Sequence, residues 1–72
     1  MNWFAEQRQN WIMDMLMVYG FINRGHLMRK FGVSQPQASL DLKQFQRNHP
    51  WSIHYDGSRK CYVWLAEGEK SS

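Results

Sequence analysis

The first third of the chain carries apolar residues at helical spacing. Placing the side chains from about Trp3 to Tyr19 at about 100° steps puts eight apolar residues within one arc of roughly 160°. The eight are Phe4, Ala5, Trp11, Ile12, Met15, Leu16, Val18 and Tyr19. This stripe predicts an amphipathic helix that packs on the core, and Gly20 is placed to end it.

Three other apolar side chains of the same helix, Trp3, Met13 and Met17, lie outside this stripe. Methionine often fills gaps in a core, so packing within the domain is one interpretation. The other is a partner surface, because a domain of this length buries little apolar surface by itself. We take these three residues as a candidate dimer or partner surface.

Two shorter helices are predicted next, joined by a tight turn. Asn23 can cap the second helix, which should run from about residue 24 to residue 30 or 31 and end at Gly32. The third should run from a cap at Ser34 to about residue 47 or 48, because Pro50 prevents further extension. Two helices with this connection predict a helix-turn-helix.

The start of the third helix is the sharpest local signal in the chain. Ser34 and Gln37 have the spacing of a capping box, and Pro36 falls in the first turn, where no backbone donor is needed. At 100° per residue, the side predicted to be buried consists of Ala38, Leu42 and Phe45, with Asp41 at its boundary.

Beyond Pro50 the apolar residues change to a period of two. Trp51, Ile53 and Tyr55 alternate with polar residues, Asp56-Gly57 favours a hairpin turn, and residues 60–65 supply a returning strand. Three helices followed by a hairpin predict a mainly α fold with a small β-hairpin, the winged helix-turn-helix. We expect one domain over residues 1–65 and a flexible polar tail over residues 66–72.

Charge is distributed unevenly along the chain. The net charge is +3 overall, but residues 24–60 hold seven basic and two acidic side chains, a net charge of +5. A basic centre of this kind favours a polyanionic partner. The single Cys61 allows no internal disulfide, which fits a reducing cytoplasm.

The residues present do not indicate catalysis. Paired carboxylates, a glycine-rich phosphate loop and an activated nucleophile are not recognisable, and the three histidines are scattered. We therefore expect no enzyme activity, no cofactor, no metal site and no small-molecule ligand. The first helix is too short and too polar to cross a membrane.

The residues from Phe31 to Leu42 resemble the N-terminal winged helix of WYL-domain transcriptional regulators, which are similar to DeoR-type regulators. The resemblance includes Tyr55-Asp56 and the run Lys60-Cys61-Tyr62-Val63 and covers about residues 8–63. Its most specific part is the run Ser-Gln-Pro-Gln-Ala-Ser-Leu-Asp-Leu that begins at Ser34.

This resemblance implies a dimeric repressor whose third helix enters the major groove while the hairpin contacts the flanking backbone. The 72 residues carry no WYL domain, and this departure puts the family's ligand sensing in doubt. We expect either a free-standing small regulator or a subunit of a larger assembly.

The exposed side of the third helix supplies candidate base readers, because the first turns of a recognition helix meet the base edges. Amide side chains pair bidentately with adenine, and apolar side chains contact the thymine methyl. The candidates are Gln35, Pro36, Gln37, Ser39 and Leu40. The alternatives are a solvated or capping role for the two glutamines, and packing on the second helix or the hairpin for Leu40.

Seven further residues are candidates for contact with the DNA backbone, which positions a protein without specifying sequence. They lie at the start of the second helix, along the third helix and in the hairpin turn. They are Arg24, His26, Lys43, Arg47, Ser58, Arg59 and Lys60. The alternative for the hairpin cations is that they only deter edge-to-edge pairing.

Together these features predict a sequence-specific regulator of transcription that binds double-stranded DNA as a homodimeric repressor. We expect it in a bacterial or phage-type cytoplasm, associated with the nucleoid. One alternative is a winged helix that serves as a protein–protein adaptor or assembly subunit. Another is architectural DNA binding without sequence preference, which would share the salt dependence of a regulator but not its preferred site.

Overall fold

A computed structural model describes residues 2–65. The elements are α1 (Trp3–Tyr19), β1 (Phe21–Ile22), α2 (Arg24–Phe31), α3 (Gln35–Asn48), β2 (Ile53–Asp56) and β3 (Cys61–Trp64). The strands form an antiparallel sheet in the order β1-β3-β2. The predicted winged helix-turn-helix is confirmed, whereas the expected tail over residues 66–72 lies outside the described residues. Over the described range, no helix is both long and apolar enough to span a membrane.

The helix boundaries are set by side-chain caps at the start and by glycine at the end. The Asn2 side chain accepts from the backbone N–H of Ala5 at 2.8 Å and so begins α1. Gly20 and Gly32 end α1 and α2 with φ angles of 85° and 69°, in the left-handed region that glycine adopts without strain. These capping signals explain why the predicted helix bounds agree with the observed ones.

The core draws on all three helices and on two of the strands. Its buried residues are Ile12, Leu16, Ile22, Leu27, Ala38, Leu42, Phe45 and Ile53. Trp11 and Phe31 cover one side of it, with their rings edge to face and their centroids 5.5 Å apart. A single core of this kind fixes the hairpin and the helices as one unit.

Helix α1 is rotated relative to the apolar stripe that the sequence predicts. Phe4, Val18 and Tyr19 were expected in the core but are 67%, 70% and 64% exposed. Met13, one of the three residues taken as a candidate partner surface, packs against the core, which favours the other interpretation, packing within the domain. The reason is that polar residues of α1 turn towards α3 and make specific contacts there.

Those contacts centre on Asp41, which is 5% exposed and therefore buried, not at the boundary. Arg8 Nε donates to Asp41 Oδ2 at 2.6 Å, and Arg8 Nη2 donates to Oδ1 at 3.3 Å. Gln37 Nε2 also donates to Oδ1, at 3.0 Å, and Gln9 Nε2 donates to the Asp41 carbonyl at 2.9 Å. A buried carboxylate is tolerated when it is paired and fully hydrogen-bonded in this way.

The segment after α1, expected only as an extended step, is the edge strand β1 of the sheet. Ile22 lies opposite Tyr62 and Phe21 opposite Val63, so β3 is the central strand. The Trp64 N–H also donates to the Gly20 carbonyl at 2.9 Å. Two residues are too few to show a strand period, so this pairing could not be predicted from the sequence. It ties the hairpin to the end of α1.

We expect Arg8→Ala to lower the free energy of unfolding by about 3 kcal/mol, because it leaves the Asp41 carboxylate buried without its cation. Urea unfolding of the variant beside Lys30→Ala, which removes an exposed cation from α2, measures the difference. The combined variant Arg8→Met with Asp41→Leu should lose less than Arg8→Ala, because it removes both charges. An Arg8→Ala stability equal to that of Lys30→Ala would contradict the role given to this ion pair.

Candidate nucleic-acid interface

The exposed side of α3 and the hairpin enclose a cleft of about 700 Å³. Four cations line it, Arg24, Lys43, Arg47 and Lys60, and no described acidic residue lines it. The cations come from α2, α3 and the hairpin turn, which the sheet and the core bring together. A concave surface with one sign of charge concentrates field and attracts a polyanion. The cleft thus collects four of the seven predicted backbone-contacting residues.

The first turns of α3 run along the rim of this cleft. Ser39 is half-buried and lines the cleft, while Gln35 and Pro36 are exposed. Leu40 is 61% exposed, which removes the alternative that it packs on α2 or the hairpin. An apolar side chain held in water on a helix that borders a basic cleft is available for an apolar spot in the major groove.

Gln37 is engaged within the protein. Its backbone N–H donates to Ser34 Oγ at 3.3 Å, but its side chain donates to Asp41 and does not return to Ser34. The expected capping box is therefore only half formed. Because a bidentate pair with adenine needs both the donor and the acceptor of an amide, base reading by Gln37 would compete with the Asp41 contact.

Gln35 connects α3 with α2. With its amide oxygen turned towards Arg24, it accepts from both Nη1 and Nη2 at 3.1 Å. This orientation leaves the Gln35 amide nitrogen as a free donor at the start of α3. The pair also holds the Arg24 guanidinium at the mouth of the cleft, so the two predicted site residues act as one unit.

A complete capping box, which the sequence predicted for α3, is found instead at the start of α2, where His26 takes part in it. Asn23 Oδ1 accepts from the His26 backbone N–H at 3.1 Å, and His26 Nδ1 accepts from the Asn23 backbone N–H at 3.2 Å. Burial, and then the charge of Arg29, lowers the pKa of His26 from its ordinary value of 6.5. His26 thus acts as a neutral acceptor in the cap of α2, and its Nδ1 is not available to a phosphate.

The tip of the hairpin is organised around a carboxylate. Asp56 Oδ1 accepts from the N–H and the Oγ of Ser58, at 3.1 and 2.9 Å, and from the Arg59 N–H at 3.2 Å. The Arg59 Nε lies 3.7 Å from Asp56 Oδ2. The Ser58 hydroxyl bond and then the Arg59 backbone bond lower the pKa of Asp56, so the tip keeps a negative charge beside its cations.

The cleft wall also contains residues that the sequence analysis did not assign to the site. Tyr55 and Tyr62 were expected only as strand residues, yet both line the cleft. Gln46 of α3 lines it too. Strand alternation shows which side chains share a face but not where that face leaves the core, so the two tyrosines could not be assigned to the cleft from the sequence.

The exposed apolar residues of α1 lie at its two ends. Trp3 and Met17 are 65% and 67% exposed, as the partner surface requires, and Phe4 and Val18 join them. The Trp3 and Phe4 rings meet edge to face with centroids 5.1 Å apart. The exposed face between the two ends is polar, with Gln7, Asn10 and Asp14.

Among residues 2–65, no three histidine, cysteine or acidic side chains are grouped so that they could hold a metal ion. Cys61 is buried in β3 as a free thiol.

Residues 5–67 match the winged helix-turn-helix domain of the BrxR transcriptional regulators. The chain is also similar to DNA-binding transcriptional repressors named CapW. The repressor from Escherichia coli strain KTE188 is 42% identical over 61 residues, which are 85% of this chain and 20% of the repressor.

The chain is similar to two other CapW repressors as well. The one from Stenotrophomonas maltophilia is 36% identical over 66 residues, 92% of this chain and 22% of the repressor. The one from Pseudomonas aeruginosa is 37% identical over 61 residues, 85% of this chain and 20% of the repressor. The chain therefore spans about one fifth of the length of these relatives.

We expect the stability of the protein to fall as the pH drops below 6.5, because the folded state holds the His26 pKa below its unfolded value. Well above pH 6.5 the residue is neutral in both states and has no effect. Urea unfolding at pH 7.5 and 5.5 should show this loss in the wild type, with less loss in His26→Gln. Glutamine keeps a capping acceptor but does not titrate. An equal loss in both proteins would assign the pH dependence to other groups.

Proposed function

The chain belongs to the family of winged helix-turn-helix domains of BrxR transcriptional regulators, and from this premise we propose that it binds double-stranded DNA and represses transcription. The observation that carries the proposal is the cleft lined by four cations and no described acid, directly beside the exposed side of α3. Similarity to the CapW repressors supports the same function. We place the protein in the cytoplasm, associated with the nucleoid.

In this proposal α3 lies in the major groove with its first turns towards the bases. Gln35 presents its free amide donor, Ser39 its hydroxyl, and Pro36 and Leu40 offer apolar contact to thymine methyl groups. Gln37 keeps its contact with Asp41 and so fixes the orientation of the helix. Lys43 and Arg47, one and two turns further along, meet phosphates.

A duplex selection tests sequence-specific binding. Wild-type protein incubated with a randomised duplex library at about physiological salt should enrich one motif, and Ser39→Ala or Leu40→Ala should weaken binding by about 1–3 kcal/mol at defined positions. His54→Ala, exposed on β2 and outside the cleft and α1, is the control. Retention without an enriched motif would support an architectural role instead, and no retention at low salt would refute DNA binding.

Salt dependence tests the assignment of Lys43 and Arg47 to phosphates. Each of Lys43→Ala and Arg47→Ala should reduce the slope of log K against log salt by about 0.9, because one fewer counterion is released. The affinity should fall to a similar extent on all sequences, since phosphate contacts do not read bases. Lys30→Ala, an exposed cation of α2 outside the cleft, should leave the slope unchanged. An unchanged slope in all three variants would contradict the assignment.

We further propose that the protein forms a homodimer through antiparallel packing of α1 on its counterpart. A two-fold axis near residue 10 would bring the Trp3 and Phe4 end of one helix against the Met17 and Val18 end of the other. Both apolar ends, each 65–70% exposed in the monomer, would then be covered. This self-complementary order favours a second copy over an unrelated partner.

Disulfide cross-linking distinguishes this arrangement from a parallel one. Residues 4 and 17 lie about 20 Å apart along a helix, so Phe4→Cys alone should not form a cross-linked dimer. A mixture of Phe4→Cys and Met17→Cys chains should form one under mild oxidation. Leu40→Cys mixed with Phe4→Cys is the control, because Leu40 is equally exposed but lies on α3. Cross-linking of Phe4→Cys to itself would show a parallel arrangement and refute the proposal.

The exposed apolar ends of α1 also favour the second candidate function, a protein–protein adaptor. Association through such a surface would respond little to salt, whereas binding through the cleft would weaken steeply. A chain that binds no duplex at low salt but binds a different protein through α1, and not only a second copy of itself, would support the adaptor.

A further inference from the structure

We propose that the inner face of the hairpin, through Lys60 and the hydroxyl groups of Tyr55 and Tyr62, holds one sugar–phosphate strand against α3. In this arrangement the tip of the hairpin, at Ser58 and Arg59, makes no essential contact. This inference rests on the proposed DNA binding and specifies which part of the hairpin contacts the DNA.

The inner face is the side of the hairpin that begins in the core. Ile53 is buried on it, and two residues further along β2 the same side presents Tyr55. Tyr62 lies directly opposite Tyr55 on β3, and the two ring centroids are 4.9 Å apart. The face thus leaves the core at this pair of tyrosines and becomes the wall of the cleft across from Lys43 and its neighbours.

The two phenol groups are suited to a phosphate oxygen. Within residues 2–65 neither hydroxyl has a hydrogen-bond partner, although Tyr62 is half-buried. Burial, and then the proximity of Tyr55, raises the pKa of Tyr62 above its ordinary value of 10.0, so its hydroxyl remains a donor. A phenol donates a short, strong hydrogen bond to a charged oxygen.

Lys60 provides independent support through its backbone. It has a φ of 57° and is the only non-glycine residue among those described with a positive φ. Glycine would adopt this conformation without strain, whereas a side chain makes it unfavourable. A lysine held in such a conformation with its side chain lining the cleft is consistent with a functional requirement for the cation.

The tip of the hairpin is less suited to a phosphate than the inner face. Asp56 places a carboxylate there, and its Oδ1 already accepts from Ser58 and Arg59. The Ser58 hydroxyl hydrogen is used in that contact, and the Arg59 Nε lies 3.7 Å from the other carboxylate oxygen. A phosphate approaching the tip would meet the Asp56 carboxylate, which already occupies the Ser58 donors and the Arg59 N–H and offsets part of the charge of the exposed Arg59 guanidinium.

Fluorescence anisotropy with a duplex taken from the selection tests the proposal. We expect Lys60→Gly to bind about tenfold more weakly, with a salt slope smaller by about 0.9, while its thermal midpoint stays equal or rises because the strain is relieved. The double variant Tyr55→Phe with Tyr62→Phe should also bind about tenfold more weakly, with an unchanged thermal midpoint. Arg59→Ala should change the affinity less than threefold. Tyr19→Phe, exposed on α1, is the matched control for loss of a phenol hydroxyl.

The outcomes separate this inference from the proposed function. A wild type that binds duplexes, together with Lys60→Gly and tyrosine variants that bind equally well, would overturn the inference alone. A large loss in Arg59→Ala without a loss in Lys60→Gly would assign the contact to the tip and overturn it too. A wild type that binds no duplex would overturn the proposed function itself. A Lys60→Gly variant that gains stability and loses affinity supports the inference, because a purely structural role cannot produce both changes.

Discussion

The ion pair between Arg8 and Asp41 is the contact on which the rest of the molecule depends. Apolar packing between α1 and α3 is non-directional, so it would permit several rotations of one helix against the other. The donor contacts that reach Asp41 from α1, two from Arg8 to the carboxylate at 2.6 and 3.3 Å and one from Gln9 to the carbonyl at 2.9 Å, permit only one. Because Asp41 is turned inwards, Ser39, Leu40 and Lys43 are necessarily turned outwards, and the binding side of α3 is defined by a contact on its opposite side.

A second constraint places the hairpin relative to that helix. Strand β3 pairs with β2 on one side and with β1 on the other, and β1 follows directly after α1. The hairpin therefore does not depend on its own turn for its position, because Ile22 anchors the sheet in the core. The width of the cleft follows from these two constraints together, the ion pair behind α3 and the short strand beside β3.

The sequence carried the signals that are local and lacked those that arise from packing. The caps at Asn23 and Ser34 and the glycines at positions 20 and 32 involve only residues within about four positions of each other. The helix bounds could be predicted for that reason. The rotation of α1 was not predictable, because an arc of apolar residues cannot show that Arg8 is drawn inwards by a carboxylate 33 residues away. The position of the two tyrosines in the cleft could not be predicted for a similar reason. An alternating pattern is the same whether a strand face ends in the core or continues beyond it.

The limited core of the winged-helix domain links its two surfaces. A domain of this length has a marginal core, and the apolar ends of α1 remain in water in the monomer. Association through α1 would cover these ends and would also fix the distance between two copies of α3. Folding, dimerisation and DNA binding would then be thermodynamically coupled. A duplex that binds only the dimer would stabilise the fold by mass action, to an extent that depends on protein concentration. The exposed aromatic pair of Trp3 and Phe4 is then consistent with a chain that completes its core in the assembled state.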